Sequence, residues 1–213
     1  MIKKFLSLSI LLSFVAVAAG TAMEPGLIDA QATANDSGTV TLAVNEEITI
    51  SNFITDNMVL GVAALEDTAE ASWTVTTNSA DGYSLVLTGT DPAMQNDGAG
   101  ADIDDLPTTT PAAWDTTVSG AADGVYFGFS AFGDDVADGT FGAGSSCGAG
   151  TIPANLNYRG FDTGAGGSIV TTTGGPTVTA GVATTVCFAA EQKNEFAEDG
   201  DYTATVTATA TAA

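Results

Sequence analysis

The chain has 213 residues, 45% of them hydrophobic, and sets 26 Asp and Glu against 4 Lys and Arg, a net charge of −22. A surface this acidic repels phosphate backbones and anionic lipid heads, which argues against nucleic acid as a partner and favours solubility and divalent cations. There is no histidine, so Ser-His-Asp and Cys-His nucleophilic sites and His-ligated zinc are excluded.

The first residues read as an export signal. Lys3 and Lys4 form a short positive region, residues 5–19 carry no charge, and Gly20, Thr21 and Ala22 offer small residues to a signal peptidase. The apolar stretch falls short of the ~20 residues that a bilayer span needs. Cleavage near Met23 is therefore expected, and the chain is divided into a signal peptide helix over 1–22, a flexible extension over 23–37 and a mature domain over 38–213. Loss of Lys3 and Lys4 leaves two cations, Arg159 and Lys193, against 26 acids, a net of −24. No transmembrane segment is expected in the mature chain, nor a C-terminal anchor. The expected location is extracellular or at the cell surface. About 190 residues are enough for one domain with a real core.

After residue 38 the pattern is that of short strands. Thr39-Val40-Thr41-Leu42-Ala43-Val44 alternates polar and apolar, as do residues 48–51 and 73–76. Residues 58–64 suit a short helix or a strand, with strand preferred. Residues 78–82 supply a turn, and Tyr83-Ser84-Leu85-Val86-Leu87 resumes a strand. Residues 125–132 are rich in aromatics, 168–173 form a strand inside a mixed segment, and 182–190 carry Cys187. In the last strand Tyr202, Ala204, Val206, Ala208 and Ala210 share one face, and Thr203, Thr205, Thr207, Thr209 and Thr211 the other. Period two sends the first set inward and the threonines toward solvent. Residues 90–111 and 134–150 read as long Gly- and Asp-rich loops. The expected fold is all-β, a single antiparallel β-sandwich of Ig-like or jelly-roll-like type with long loops.

Little reactive chemistry is legible. Cys147 and Cys187, an even pair in an exported chain, are expected to form one disulfide. Acids are expected to lie in loops rather than strands, which counts against the rigid carboxylate pair of a glycosidase. Acid clusters could ligate Ca²⁺, which takes six to eight oxygens. The ligand set put forward is Asp102, Asp104 and Asp105, with Asp134, Asp135 and Asp138, then Glu198, Asp199 and Asp201, as further clusters. None follows the EF-hand spacing. Residues 142–148 are glycine-rich but lack the context of a phosphate loop. Lys193 beside Asn194 would suit an intramolecular amide crosslink only if buried, and Arg159 is expected to pair with an acid of its own domain. Asn35-Asp36-Ser37 matches a glycosylation acceptor.

Two passages carry a resemblance. Residues 72–87, from Ser72-Trp73-Thr74-Val75 through Asp81-Gly82-Tyr83 to Leu87, resemble a strand-turn-strand of exported bacterial β-sandwich surface proteins. Gly200-Asp201-Tyr202-Thr203-Ala204-Thr205-Val206 resembles their closing strand. The chain is in this respect similar to WxL-type wall-associated domains and to spore-coat-U or pilin-like sandwiches. It departs from the WxL pattern at its end, where Thr and Ala stand in place of a second Trp motif. The resemblance implies a non-enzymatic, secreted structural or adhesive surface protein, with a filament or surface-layer subunit included, and self-assembly or cell-surface polymers as partners. In such assemblies an N-terminal segment, here 23–44, fills a neighbour's sheet edge; the plainer expectation is that it forms the first strand of its own domain. The alternative is a carbohydrate- or cell-wall-binding module, which would need Trp114, Tyr126 and Phe132 exposed in a row.

Overall fold

Strand forms where the alternating segments find ladder partners. The structure, a computed structural model, describes residues 41–51, 57–89, 94–98, 100–115, 124–161, 167–170 and 174–213. The proposed signal peptide (1–22), the extension (23–37) and the Asn35 acceptor lie outside the described residues. Every element described below lies in one compact unit, Val44–Ala213.

In chain order the elements are β1 (Ile48–Ile50), β2 (Glu66–Thr77), β3 (Tyr83–Thr88), β4 (Met94–Asn96), β5 (Asp104–Asp105), β6 (Ala112–Ala113) and β7 (Val125–Gly133). A single helical turn, α1 (Asp138–Phe141), follows. Then come β8 (Asn157–Tyr158), β9 (Gly167–Val170), β10 (Val182–Gln192), β11 (Tyr202–Ala204) and β12 (Thr207–Ala212). The chain is nearly all β and builds several sheets. The largest has five strands in the order β1-β2-β10-β7-β5, antiparallel except for the β5–β7 pair. A second has the order β12-β3-β9, and the pairs β11-β4 and β6-β8 stand apart.

The five- and three-stranded sheets feed one core. Trp73 and Val75 of β2, Leu85 and Leu87 of β3, Phe127 and Phe129 of β7, Val170 of β9 and Val186 of β10 all belong to it. Each such side chain, fully buried, contributes about 1.5–3 kcal/mol. Phe129 lies 4.6 Å from Phe161 between ring centroids, and Phe127 stacks between Phe161 and Phe188 at 5.8 Å from each. β3 buries Tyr83, Leu85 and Leu87 and leaves Ser84, Val86 and Thr88 half-exposed, as period two requires. In contrast, β7 and β10 are buried over consecutive residues, Tyr126 to Ala131 and Val186 to Ala190, because both of their faces are covered. The second cover is a smaller cluster of Leu106, Tyr126, Cys147, Leu156, Tyr158, Cys187 and Ala189. The expected turn at 78–82 closes through Gly82 N–H donating to Ser79 O, and Gly82 takes φ +83°, which a glycine adopts without a Cβ penalty.

Four expectations are corrected. Of the strand expected over 39–44, residues 39 and 40 lie outside the described residues and residues 41–44 form no strand, with Leu42 and Val44 84% and 73% exposed. Their alternation meets no ladder partner among the described residues, and alternation alone does not make a strand. Residues 58–64 are a loop. Met58 and Leu60 do turn toward the core, but the backbone is held by Asp67, whose Oδ2 accepts from Val59 N (2.6 Å), and by a Gly61–Ala64 turn. The closing strand is two strands, β11 and β12, which part company because β11 pairs with β4 and β12 with β3. Its face assignment holds: Ala204, Val206, Ala208 and Ala210 pack on the core and the threonines are exposed. Finally, acids are not confined to loops: β2 carries Glu66, Asp67 and Glu70, β5 is Asp104–Asp105, and β10 carries Glu191.

Candidate functional site

Cys147 and Cys187 form the expected disulfide, across a sequence separation of 40. Cys187 points to the outer face of the five-stranded sheet, the face away from the main core. The irregular segment 142–156 crosses that face to deliver Cys147 to it. Around the bridge Leu156 and Tyr158 are fully buried, and Trp114, Phe132 and Ile152 close the edges.

The Ca²⁺ ligands put forward do not converge. Asp102 Oδ1 accepts from Asn96 N (2.8 Å) and so holds its own loop. Asp104 and Asp105 are successive residues of β5, and strand geometry sends their side chains to opposite faces. Asp104 is exposed and Asp105 half-buried. Of the other acids, Asp135 Oδ2 accepts from the Tyr83 hydroxyl (2.8 Å) and Glu198 Oε2 from Ala101 N (3.1 Å). Among the described residues no group of three Cys, Asp or Glu side chains gathers to hold a metal ion. Burial, and after it the Asp135 carboxylate, pushes the Tyr83 hydroxyl above the ordinary tyrosine range.

The three aromatics needed for a sugar platform are drawn into the smaller cluster instead. Tyr126 is buried, and Trp114 and Phe132 are half-buried. Trp114 lies so close over the sheet that a Cβ at Gly128 would sit 3.3 Å from its Cζ3. Its ring meets Tyr158 edge-on at 5.2 Å, and its Nε1 donates to Glu191 Oε2 at 2.5 Å.

That last contact leads to a set of residues that sequence reasoning missed. The β2–β10–β7–β5 registers align Glu66, Glu191, Tyr126 and Asp104 in one row across four strands. Glu66 and Glu191 are direct cross-strand partners on the outer face, both half-exposed. Tyr158, packed above this end of the sheet, is fully buried, and its hydroxyl has no hydrogen-bond partner among the described residues. Burial, with a smaller contribution from the Glu66 charge, pushes that hydroxyl above the ordinary tyrosine range. Glu66 and Glu191 are far apart in the chain, and neither lies in a motif. Only strand register brings them together.

Two further features bear on binding. A trough of about 760 Å³ runs between the 57–62 loop and residues 196–203, with Met58, Leu60, Met94 and Ile103 inside and Asp97, Glu198, Asp199 and Asp201 on its lip. Val59, Val62 and Phe196, also along it, are 71%, 82% and 57% exposed. Arg159 is buried: its guanidinium lies 5.8 Å from the centre of the Phe129 ring and its Nε donates to Gly160 O (3.2 Å). Lys193 and Asn194 are exposed, which removes the burial that an amide crosslink requires. No known protein family, characterised protein or solved structure matches this chain.

Proposed function

We propose that this chain is an exported, non-enzymatic β-sandwich protein with a structural or adhesive role at the cell surface, a filament or surface-layer subunit included. The observation that carries this reading is the Cys147–Cys187 bridge, buried in a nearly all-β body, since such bridges persist in oxidising compartments. The sandwich assignment draws on the single core shared by the five- and three-stranded sheets. The adhesive reading draws support from Val59, Val62 and Phe196. They expose apolar surface beside an acidic lip, the composition of an interaction surface rather than of an inert one. A carbohydrate-binding module would need an exposed aromatic row, and burial of Tyr126 weighs against that alternative.

The test is to express the full chain in a bacterial host with its export machinery intact. Cell fractionation, intact mass and electron microscopy of the purified product are then read together. The expected result is a surface or medium fraction with an N-terminus near Met23 and no free thiol, forming filaments or arrays or coating cells. A cytoplasmic product with Met1 retained and reduced cysteines would refute it.

A further inference from the structure

We propose that Glu66, Glu191 and Tyr158 form a binding site for one divalent cation of the hard, oxygen-seeking class, with Ca²⁺ the best fit. This site lies on the outer face of the five-stranded sheet, away from the acidic loops. It does not depend on the functional reading above.

The argument begins with register. Glu66 and Glu191 are direct partners in an antiparallel pair. Residues so paired have Cβ atoms about 4.5–5.5 Å apart, and like charges placed there destabilise the sheet. The chain is strongly acidic throughout, so general self-repulsion adds to this local cost. A divalent cation between the two carboxylates turns that repulsion into attraction.

The surroundings are built rather than incidental. Trp114 Nε1 holds one oxygen of Glu191, which fixes the carboxylate. The Trp114 ring in turn packs against Tyr158. Tyr158 then presents a fully buried hydroxyl without a hydrogen-bond partner among the described residues. An unmet buried hydroxyl costs about 1–3 kcal/mol, so such a group is expected to serve something that the protein alone does not supply. A cation taking the phenol oxygen as a ligand would satisfy it.

The chemistry selects the ion. Carboxylate and phenol oxygens are hard ligands, and Ca²⁺ tolerates an irregular set completed by water, whereas Mg²⁺ demands a near-ideal octahedron. Both glutamates are half-exposed, so water can complete the shell. Two protein carboxylates place the affinity in the weak range typical of extracellular modules, Kd on the order of 10⁻⁴–10⁻³ M.

The purified full chain tests this, stripped with chelator and titrated with CaCl2 by calorimetry and by thermal unfolding, against NaCl of matched ionic strength. Wild type should show saturable binding of one Ca²⁺ and a rise in Tm that NaCl does not reproduce. Glu66→Gln and Glu191→Gln should each lose the saturable heat. In chelator Glu66→Gln should be at least as stable as wild type, because the repulsion is gone. Tyr158→Phe, which removes only the buried hydroxyl, should fold and bind about tenfold more weakly. A Tm rise that NaCl reproduces, no saturable heat in wild type, or binding that survives in both Gln variants would overturn the proposal.

Discussion

Reduction of the Cys147–Cys187 bridge should cost the domain a large part of its stability. The bridge closes a sequence separation of 40, which in the chain-entropy treatment removes about 4 kcal/mol of freedom from the unfolded chain. Cys187 is fully buried and Cys147 nearly so, in contact with a cluster that stays apolar when the bond is cut. Most of the loss should therefore appear in the unfolded state and not as disrupted native packing. Urea unfolding followed by tryptophan fluorescence reads this directly, since Trp73 lies in the main core and Trp114 at the edge of the disulfide cluster. With a slope of about 2 kcal/mol/M, the midpoint of the reduced protein should fall by about 2 M relative to the oxidised protein. The slope should rise, because the open unfolded chain exposes more surface. Because both sulfurs are shielded, reductant should act slowly on the native protein and quickly once urea opens it. A midpoint shift below about 0.5 M with unchanged slope would refute the reasoning, since the segment 142–156 would then be held equally well without its crosslink.

Three further outcomes follow from the packing. Phe129→Ala removes a fully buried ring that touches Phe141 and Phe161, and should cost about 3–5 kcal/mol in a denaturant titration. Gln192→Ala should cost roughly 1–3 kcal/mol, because Gln192 Nε2 donates to Gly61 O (2.8 Å) and Ala64 O (3.2 Å) while its Oε1 accepts from Ala197 N (3.1 Å). Limited proteolysis should then cut first within 57–65, the loop that this amide holds. The third concerns pH. The native state keeps the Tyr83 proton at pH values where the unfolded chain, with its ordinary tyrosine value of 10.0, has lost it. Its contribution to stability is thus complete below pH 10 and is lost as pH rises above that value. Tyr83→Phe should flatten the alkaline limb of the stability–pH curve, and an unchanged slope above pH 10 would contradict the assignment.

How much was legible in advance depended on how far each signal reached along the chain. Period two specified strand and facing in Tyr83–Thr88, and the facing in residues 202–211, because alternation is a local property of the extended backbone. The Cys147–Cys187 pairing was legible because two cysteines allow one partner each. The same local signal failed at residues 41–44, and the strand preferred at 58–64 is a loop. Alternation is necessary for a half-buried strand, but a ladder partner is what makes one, and the partner is set elsewhere in the chain.

By itself, then, the sequence determined the class: an acidic chain without histidine, built of short two-faced strands and able to close one disulfide. Tertiary structure alone decided which residues meet. The β2–β10 register set Glu66 opposite Glu191, and a slip of β2 by one residue would have turned Glu66 to the face opposite Glu191. Packing left the Tyr158 hydroxyl buried without a hydrogen-bond partner among the described residues, while β5 parted Asp104 from Asp105 although they are neighbours in sequence. Register and packing are long-range properties, fixed by the sum of many small burial terms, and no spacing within a single segment encodes them.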